Sequence, residues 1–182
     1  GGTQNDTITG SDDDNIIDGG AGADILSGGI GNDTIAGGAG ADTLSGGADE
    51  DTLDYSADTV GVTVNLATNS ASGGDATGDT ISGFENVTGG TGNDTLTGTA
   101  GDNTLRGGAG DDVFVGGAGA DYIYGDGDSG AGDTIDYSAS SAGVTVDLDA
   151  GTGSGGDAQG DVIFTVENLI GSAHADNLTG TV

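Results

Sequence analysis

Aspartate, or in two units asparagine, returns at a nine-residue spacing along two stretches of this chain, after a glycine-rich turn and two residues before a large apolar one. The stretch GGAGADILSGGIGNDTIAGGAGADTLSGG, residues 19–47, shows three turns of that cycle. Glycines at positions one, two and four of each nine permit positive φ, so the loop can turn sharply and aim several carbonyl oxygens inward. The acid at position six adds charge. Donors of this kind suit a hard cation such as Ca2+, which takes about 6–8 oxygens at roughly 2.3–2.6 Å. One loop has too few oxygens, so two stacked loops must share an ion. Other chemistries have less to draw on. His174 is the single histidine and there is no cysteine. That removes thiolate metal sites and leaves a His-based zinc site or a Ser-His-Asp triad little to work with; His174 reads as a surface residue. The runs Asp12-Asp13-Asp14 and Asp126-Gly127-Asp128 lack the terminal Glu of an EF-hand loop. Carboxylates ~5 Å apart serve retaining glycosidases, but catalytic pairs are unique whereas these are repeated. The chain reads as a non-enzyme.

The elements that must position these acids follow from the repeat. Six units run without a gap from Gly1 to Asp54, and their position six reads Asp6, Asn15, Asp24, Asp33, Asp42 and Asp51. A second block runs from Gly89 to Asp136, with Asp94, Asn103, Asp112, Asp121 and, beyond a three-residue insertion, Asp133. Each unit closes on three residues of strand character whose middle member, at position eight, points inward. Strands so short need copies of themselves to stack on. With two units per coil, loops i and i+2 lie on one side, ~4.8 Å apart. The shared sites then fall between Asp6 and Asp24, Asn15 and Asp33, Asp24 and Asp42, Asp33 and Asp51, Asp94 and Asp112, Asn103 and Asp121, and Asp112 and Asp133.

A longer period overlies the short one. The segment from Asp54, DYSADTVGVTVNLATNSASGGDATGDTISGFENVTGG, matches the segment from Asp136 at an offset of 82 residues. Within both copies apolar and polar residues alternate, as in Val62, Val64 and Leu66, the pattern of a half-buried strand. The organisation expected is a first repeat block over 1–54, a strand-rich spacer over 55–88, a second block over 89–136, a second spacer over 137–170 and the start of a further repeat over 171–182. No segment carries a useful 3.6-residue rhythm, so the fold class expected is all-β.

Composition explains why such a chain needs ions. Among 182 residues are 31 acids against one base, Arg106, for a net charge of −30, with 42 glycines and only 4% aromatics. A core of large side chains cannot be assembled from this, and the default for such a composition is disorder. The charge argues against nucleic acid and anionic membranes as partners. No apolar run approaches the ~20 residues of a membrane span, and no signal peptide pattern opens the sequence. The partner left is a cation.

Units such as GGAGADILS, GGIGNDTIA, GGTGNDTLT and GGAGADYIY closely resemble the GGxGxDxUx nonapeptide of the RTX, or haemolysin-type, calcium-binding repeat family. The resemblance implies a right-handed parallel β-roll, a β-helix-like solenoid. It implies that the position-six side chains bind Ca2+ together with loop carbonyls at Gly22, Gly31, Gly40, Gly92, Gly110 and Gly119. It also implies a module of a larger secreted protein, exported by a type I system and folding on calcium outside the cell, with about seven ion sites. Asp13 and Asp49 at position four, and Asn15 and Asn103 at position six, depart from the pattern and should weaken their sites. The spacer loops GGDATGDTI and GGDAQGDVI look like stretched nonapeptides, with Asp79 and Asp161 as acids; a polar turn is the competing reading. Tyr55 and Tyr137, where the repeats stop, are expected to cap the interior, and Tyr122 and Tyr124 to face outward. A regular Thr/Asn ladder of the ice-binding kind is missing. The alternative to a structural calcium module is an accessory module of a secreted enzyme or adhesin, binding polysaccharide or a cell surface.

Overall fold

The computed structural model describes residues 1–127 and 130–181. Asp128 and Ser129, inside the inserted loop, and Val182 lie outside the described residues, so the Asp126-Gly127-Asp128 run is described only in part. The described residues form two ten-stranded sheets and two one-turn 3-10 helices, Gly74–Ala76 and Gly156–Ala158. The fold is all-β.

Successive nonapeptides alternate between the sheets, so one coil is 18 residues and each strand pairs in parallel with the one two units on. Leu26 lies opposite Leu44, Ile17 opposite Ile35, Leu96 opposite Phe114 and Leu105 opposite Ile123. Position eight therefore stacks on itself. Leu26, Ile35, Leu44, Leu53, Leu96, Leu105, Phe114, Ile123 and Ile135 are all at most 1% exposed. The interior is one aliphatic side chain thick on each wall, which is what 32% apolar residues can fill. The inserted loop is absorbed without loss of register, since Val113 still pairs with Thr134 and Phe114 with Ile135.

The spacers depart from a purely parallel roll. The first sheet runs Thr7–Thr9, Ile25–Ile30, Thr43–Ala48, Thr80–Ser82, Ser70–Ser72, Thr63–Asn65, Thr95–Thr97, Val113–Val115, Thr134–Asp136, Asn168–Ile170. The second runs Ile16–Ala21, Thr34–Ala39, Thr52–Asp54, Asn86–Thr88, Thr104–Ala109, Tyr122–Gly127, Val162–Phe164, Thr152–Ser154, Thr145–Asp147, Asn177–Thr179. Each spacer thus inserts a three-strand antiparallel meander, paired Thr63 to Ser72 and Ser70 to Thr80 in the first copy and Thr145 to Ser154 and Thr152 to Val162 in the second. The link between Asn65 and Ser70 is a tight turn, too short for the crossover that parallel strands need. Val62, Val64 and Leu66 are buried as their alternation implies, and Tyr55 and Tyr137 are 3% and 2% exposed, so both rings do close the interior.

The two meanders enter opposite sheets. Five nonapeptides, an odd number, separate the spacers, and each one switches wall. Outside the second sheet, Arg106 lies 4.4 Å over the Tyr124 ring and pairs with Asp126 at 2.8 Å, while Tyr124 stacks on Phe164 at 4.8 Å. Tyr122 is exposed as expected.

If position eight carries the interior, its truncation must be felt and that of the outward residue must not. In saturating calcium, Leu105→Ala should cost about 2–5 kcal/mol in urea unfolding, the range for a buried Leu. Ile16→Ala, at a side chain 88% exposed, should stay within ~0.5 kcal/mol of the parent.

Candidate metal centre

Each loop that carries an acid ends directly on a strand, so the position-six backbone is fixed by the sheet. Its carboxylate is fixed by the coil before it. Oδ1 of Asp24 accepts the N–H of Asp6 at 2.7 Å, Oδ1 of Asp42 that of Asp24 at 2.8 Å, and Oδ1 of Asp33 that of Asn15 at 2.8 Å. Asp33 donates in turn to Asp51, Asp94 to Asp112, Asn103 to Asp121 and Asp112 to Asp133, at 2.7–2.9 Å. All seven pairs expected from the spacing are therefore brought together, including the one across the insertion. Four columns of rungs result, two along each edge of the roll.

The second oxygen is the informative one. Oδ2 of Asp24, Asp33, Asp42, Asp51, Asp112 and Asp121 is buried and has no hydrogen-bond partner, and all six residues are at most 1% exposed. A buried carboxylate oxygen without a donor is costly. These oxygens face glycine: a Cβ placed on Gly19 would lie 2.6 Å from both Asp24 Oδ2 and the Gly37 carbonyl oxygen. On Gly28 it would meet Asp33 Oδ2 and, at 2.6 Å, the Gly46 carbonyl. Side-chain and carbonyl oxygens of successive coils thus converge where position one has no side chain. Among the described residues no group of three or more His, Cys, Asp or Glu could hold a metal. The remaining donors must be backbone carbonyls, which is the composition of the loop. The residues present fit a hard cation.

Other expected ligands stand differently. Oδ2 of Asp6 accepts Gly2 N–H at 2.9 Å and that of Asp94 accepts Gly90 N–H at 2.7 Å. Asn15 and Asn103 have one oxygen each, and it accepts the N–H of Ser11 and Thr99 at 2.6 Å. Gly22, Gly31, Gly40, Gly110 and Gly119 adopt positive φ, between 103° and 153°. Gly92 is not among the positive-φ glycines, because its loop stacks on the spacer backbone at Val60 and Gly61 rather than on another nonapeptide. Asp49 holds φ 79° without being glycine and accepts Gly31 N–H at 3.2 Å.

Two acids escaped the sequence reading. Glu85 Oε2 accepts Asp51 N–H, and Glu167 Oε2 accepts Asp133 N–H, each at 3.0 Å. Both stand two residues before a position-eight equivalent, Val87 and Leu169, so the position-six rule applied inside the spacers would have found them. Asp79 and Asp161 extend the columns too, accepting from Asp42 at 2.9 Å and Asp121 at 3.0 Å. Their second oxygens accept the hydroxyls of Tyr55 at 2.8 Å and Tyr137 at 2.6 Å. Burial beside these acids drives both phenol pKa values upward.

A family model described as RTX calcium-binding nonapeptide repeat (4 copies) matches residues 1–35, 27–59, 79–114, 88–123 and 97–131, together more than half of the 182 residues. No curated protein matches the sequence.

Burial first, then neighbouring acids, pushes the carboxyls of Asp112 and Asp121 up to about 7 from 3.8, against the lowering effect of the N–H each accepts. An acid whose pKa is higher folded than unfolded favours the fold while protonated. Its contribution is complete below about pH 4 and is lost as pH rises to about 7. The metal-stripped chain should therefore gain far-UV β signal on acidification from pH 7.5 to 4, and calcium affinity should fall over the same interval as protons compete. A metal-free β signal that declines on acidification contradicts this.

Proposed function

The chain belongs to the RTX calcium-binding nonapeptide repeat family, and from that membership we propose the finer reading of its role. The repeats are calcium-binding and structural in kind. In this reading about seven ions sit between stacked loops, bound by Asp6, Asp24, Asp33, Asp42, Asp51, Asp94, Asp112, Asp121 and Asp133 with the carbonyls of Gly22, Gly31, Gly40, Gly92, Gly110 and Gly119. Asn15 and Asn103 make the weaker contributions. The roll is right-handed, as crossovers between parallel strands almost always are. Its units are the blocks 1–54 and 89–136, the spacers 55–88 and 137–170, and a further repeat from 171.

The observation that carries the reading is the set of six buried, unpartnered Oδ2 atoms. A chain of net charge −30 that buries carboxylates in columns repels itself until cations enter. About seven Ca2+ would bring about fourteen positive charges, and binding and folding become one event. Such a chain stays expanded where calcium is scarce and folds where it is plentiful. That fits a module of a secreted protein, exported unfolded by a type I system and stabilising its parent outside the cell.

Far-UV circular dichroism across a calcium titration tests it. A coil spectrum in metal-free buffer at pH 7.5 should convert to β cooperatively, and magnesium, which dehydrates reluctantly and demands octahedral geometry, should not substitute at equal concentration. A β spectrum that persists unchanged after metal removal refutes coupled folding, and a coil spectrum indifferent to calcium refutes the calcium role.

A further inference from the structure

The Asp79 and Asp161 rungs differ from the other rungs in a way both modules share. Their first oxygen is held as elsewhere, by the N–H of Asp42 or Asp121. The second receives a phenol O–H, from Tyr55 in one module and Tyr137 in the other. In six other rungs the same oxygen is buried without a donor. A hydrogen bond to a carboxylate is charge-assisted and strong, and it satisfies that oxygen with no cation. The two rings are among the most buried aromatics in the chain, so neither hydroxyl can withdraw without opening the interior.

The backbone of these loops has turned to other uses as well. The stretched loop forms a one-turn 3-10 helix, Gly74–Ala76 or Gly156–Ala158. The Ala76 and Ala158 carbonyls accept the N–H of Asp79 and Asp161, both at 3.4 Å. The turn is pinned from outside the repeat, by Asp58 Oδ2 accepting Asp75 N–H at 2.6 Å and Ser140 Oγ accepting Asp157 N–H at 3.0 Å. Both oxygens of each acid are thus committed within the protein.

We propose that Tyr55 and Tyr137 determine where two of the four ion columns end, their hydroxyls taking at Asp79 and Asp161 the place that a cation takes at the nonapeptide rungs. This rests on the calcium reading above. Despite a glycine-rich loop ending in Asp, the spacer loops bind no ion. Each module instead carries one rung made of protein alone, at the point where the meander joins the roll.

Counting calcium ions on the intact chain by native mass spectrometry tests this. Asp79→Asn and Asp161→Asn should keep the parental count, whereas Asp42→Asn and Asp121→Asn should each lose one ion. Loss of an ion from Asp79→Asn or Asp161→Asn overturns the proposal. Because those variants could fold poorly, the calcium-saturated parent supplies a second reading by proton NMR. It should show two slowly exchanging phenol protons, one removed by Tyr55→Phe and the other by Tyr137→Phe; their absence overturns the proposal too. A parent that binds no calcium at all defeats the calcium reading itself, and so is distinguished from failure at these two rungs.

Discussion

Every coil of this protein is tied to the next through one group, the position-six carboxylate. Its Oδ1 takes a backbone N–H from the coil before, and so sets register as a ladder hydrogen bond would. Its Oδ2 is thereby aimed into the loop, buried and without a donor in six rungs. A polypeptide this poor in large apolar residues cannot offset columns of buried negative charge by packing alone. In the proposed calcium reading, the position that organises the coil therefore also makes the coil dependent on an external positive charge. In that reading structural order and ion binding rest on the same side chains.

Glycine follows from this constraint as much as from turn geometry. Position one is glycine because the room a Cβ needs is taken by the carboxylate of its own loop and, at Gly19, the Gly37 carbonyl of the next coil. Where the repeat gives way to a spacer, the rule relaxes. Gly92 faces spacer backbone rather than another nonapeptide and leaves the left-handed region, and the extra residue in the Asp79 and Asp161 loops becomes a 3-10 turn. The meanders bring their own apolar residues, including Tyr55, Phe84 and Val62 in the first copy, so cohesion there comes from side chains. The chain thus alternates between stretches whose loops are built on carboxylate rungs and stretches whose loops give way to an antiparallel meander.

Much of this was legible in the residues. A period of nine with Asp two places before Ile or Leu gave the coil length, the inward ladder and the pairs such as Asp24 with Asp42, because loop, acid and strand recur within one unit. What stayed hidden involved comparison between units. Glu85 and Glu167 stayed hidden because each is Glu rather than Asp and no GGxG run precedes it, as a glycine-rich loop precedes Asp79 and Asp161. The antiparallel turn between Asn65 and Ser70 required knowing that the chain doubles back. The switch of the second meander to the other sheet follows from counting five units between spacers, while the 82-residue match reads as plain duplication. The Tyr55 and Tyr137 rings were placed correctly in the interior, but the partner of a hydroxyl 24 residues away in sequence is not written in any local pattern.

Anomalous diffraction from a crystal grown in calcium is the most direct test of the central claim. The account predicts peaks at the loop edges, between successive coils and within coordination distance of Oδ2 of Asp24, Asp33, Asp42, Asp51, Asp112 and Asp121. Well-ordered coils with no peak beside those oxygens would contradict it, since the roll would then be standing without the charge on which its cohesion is said to depend.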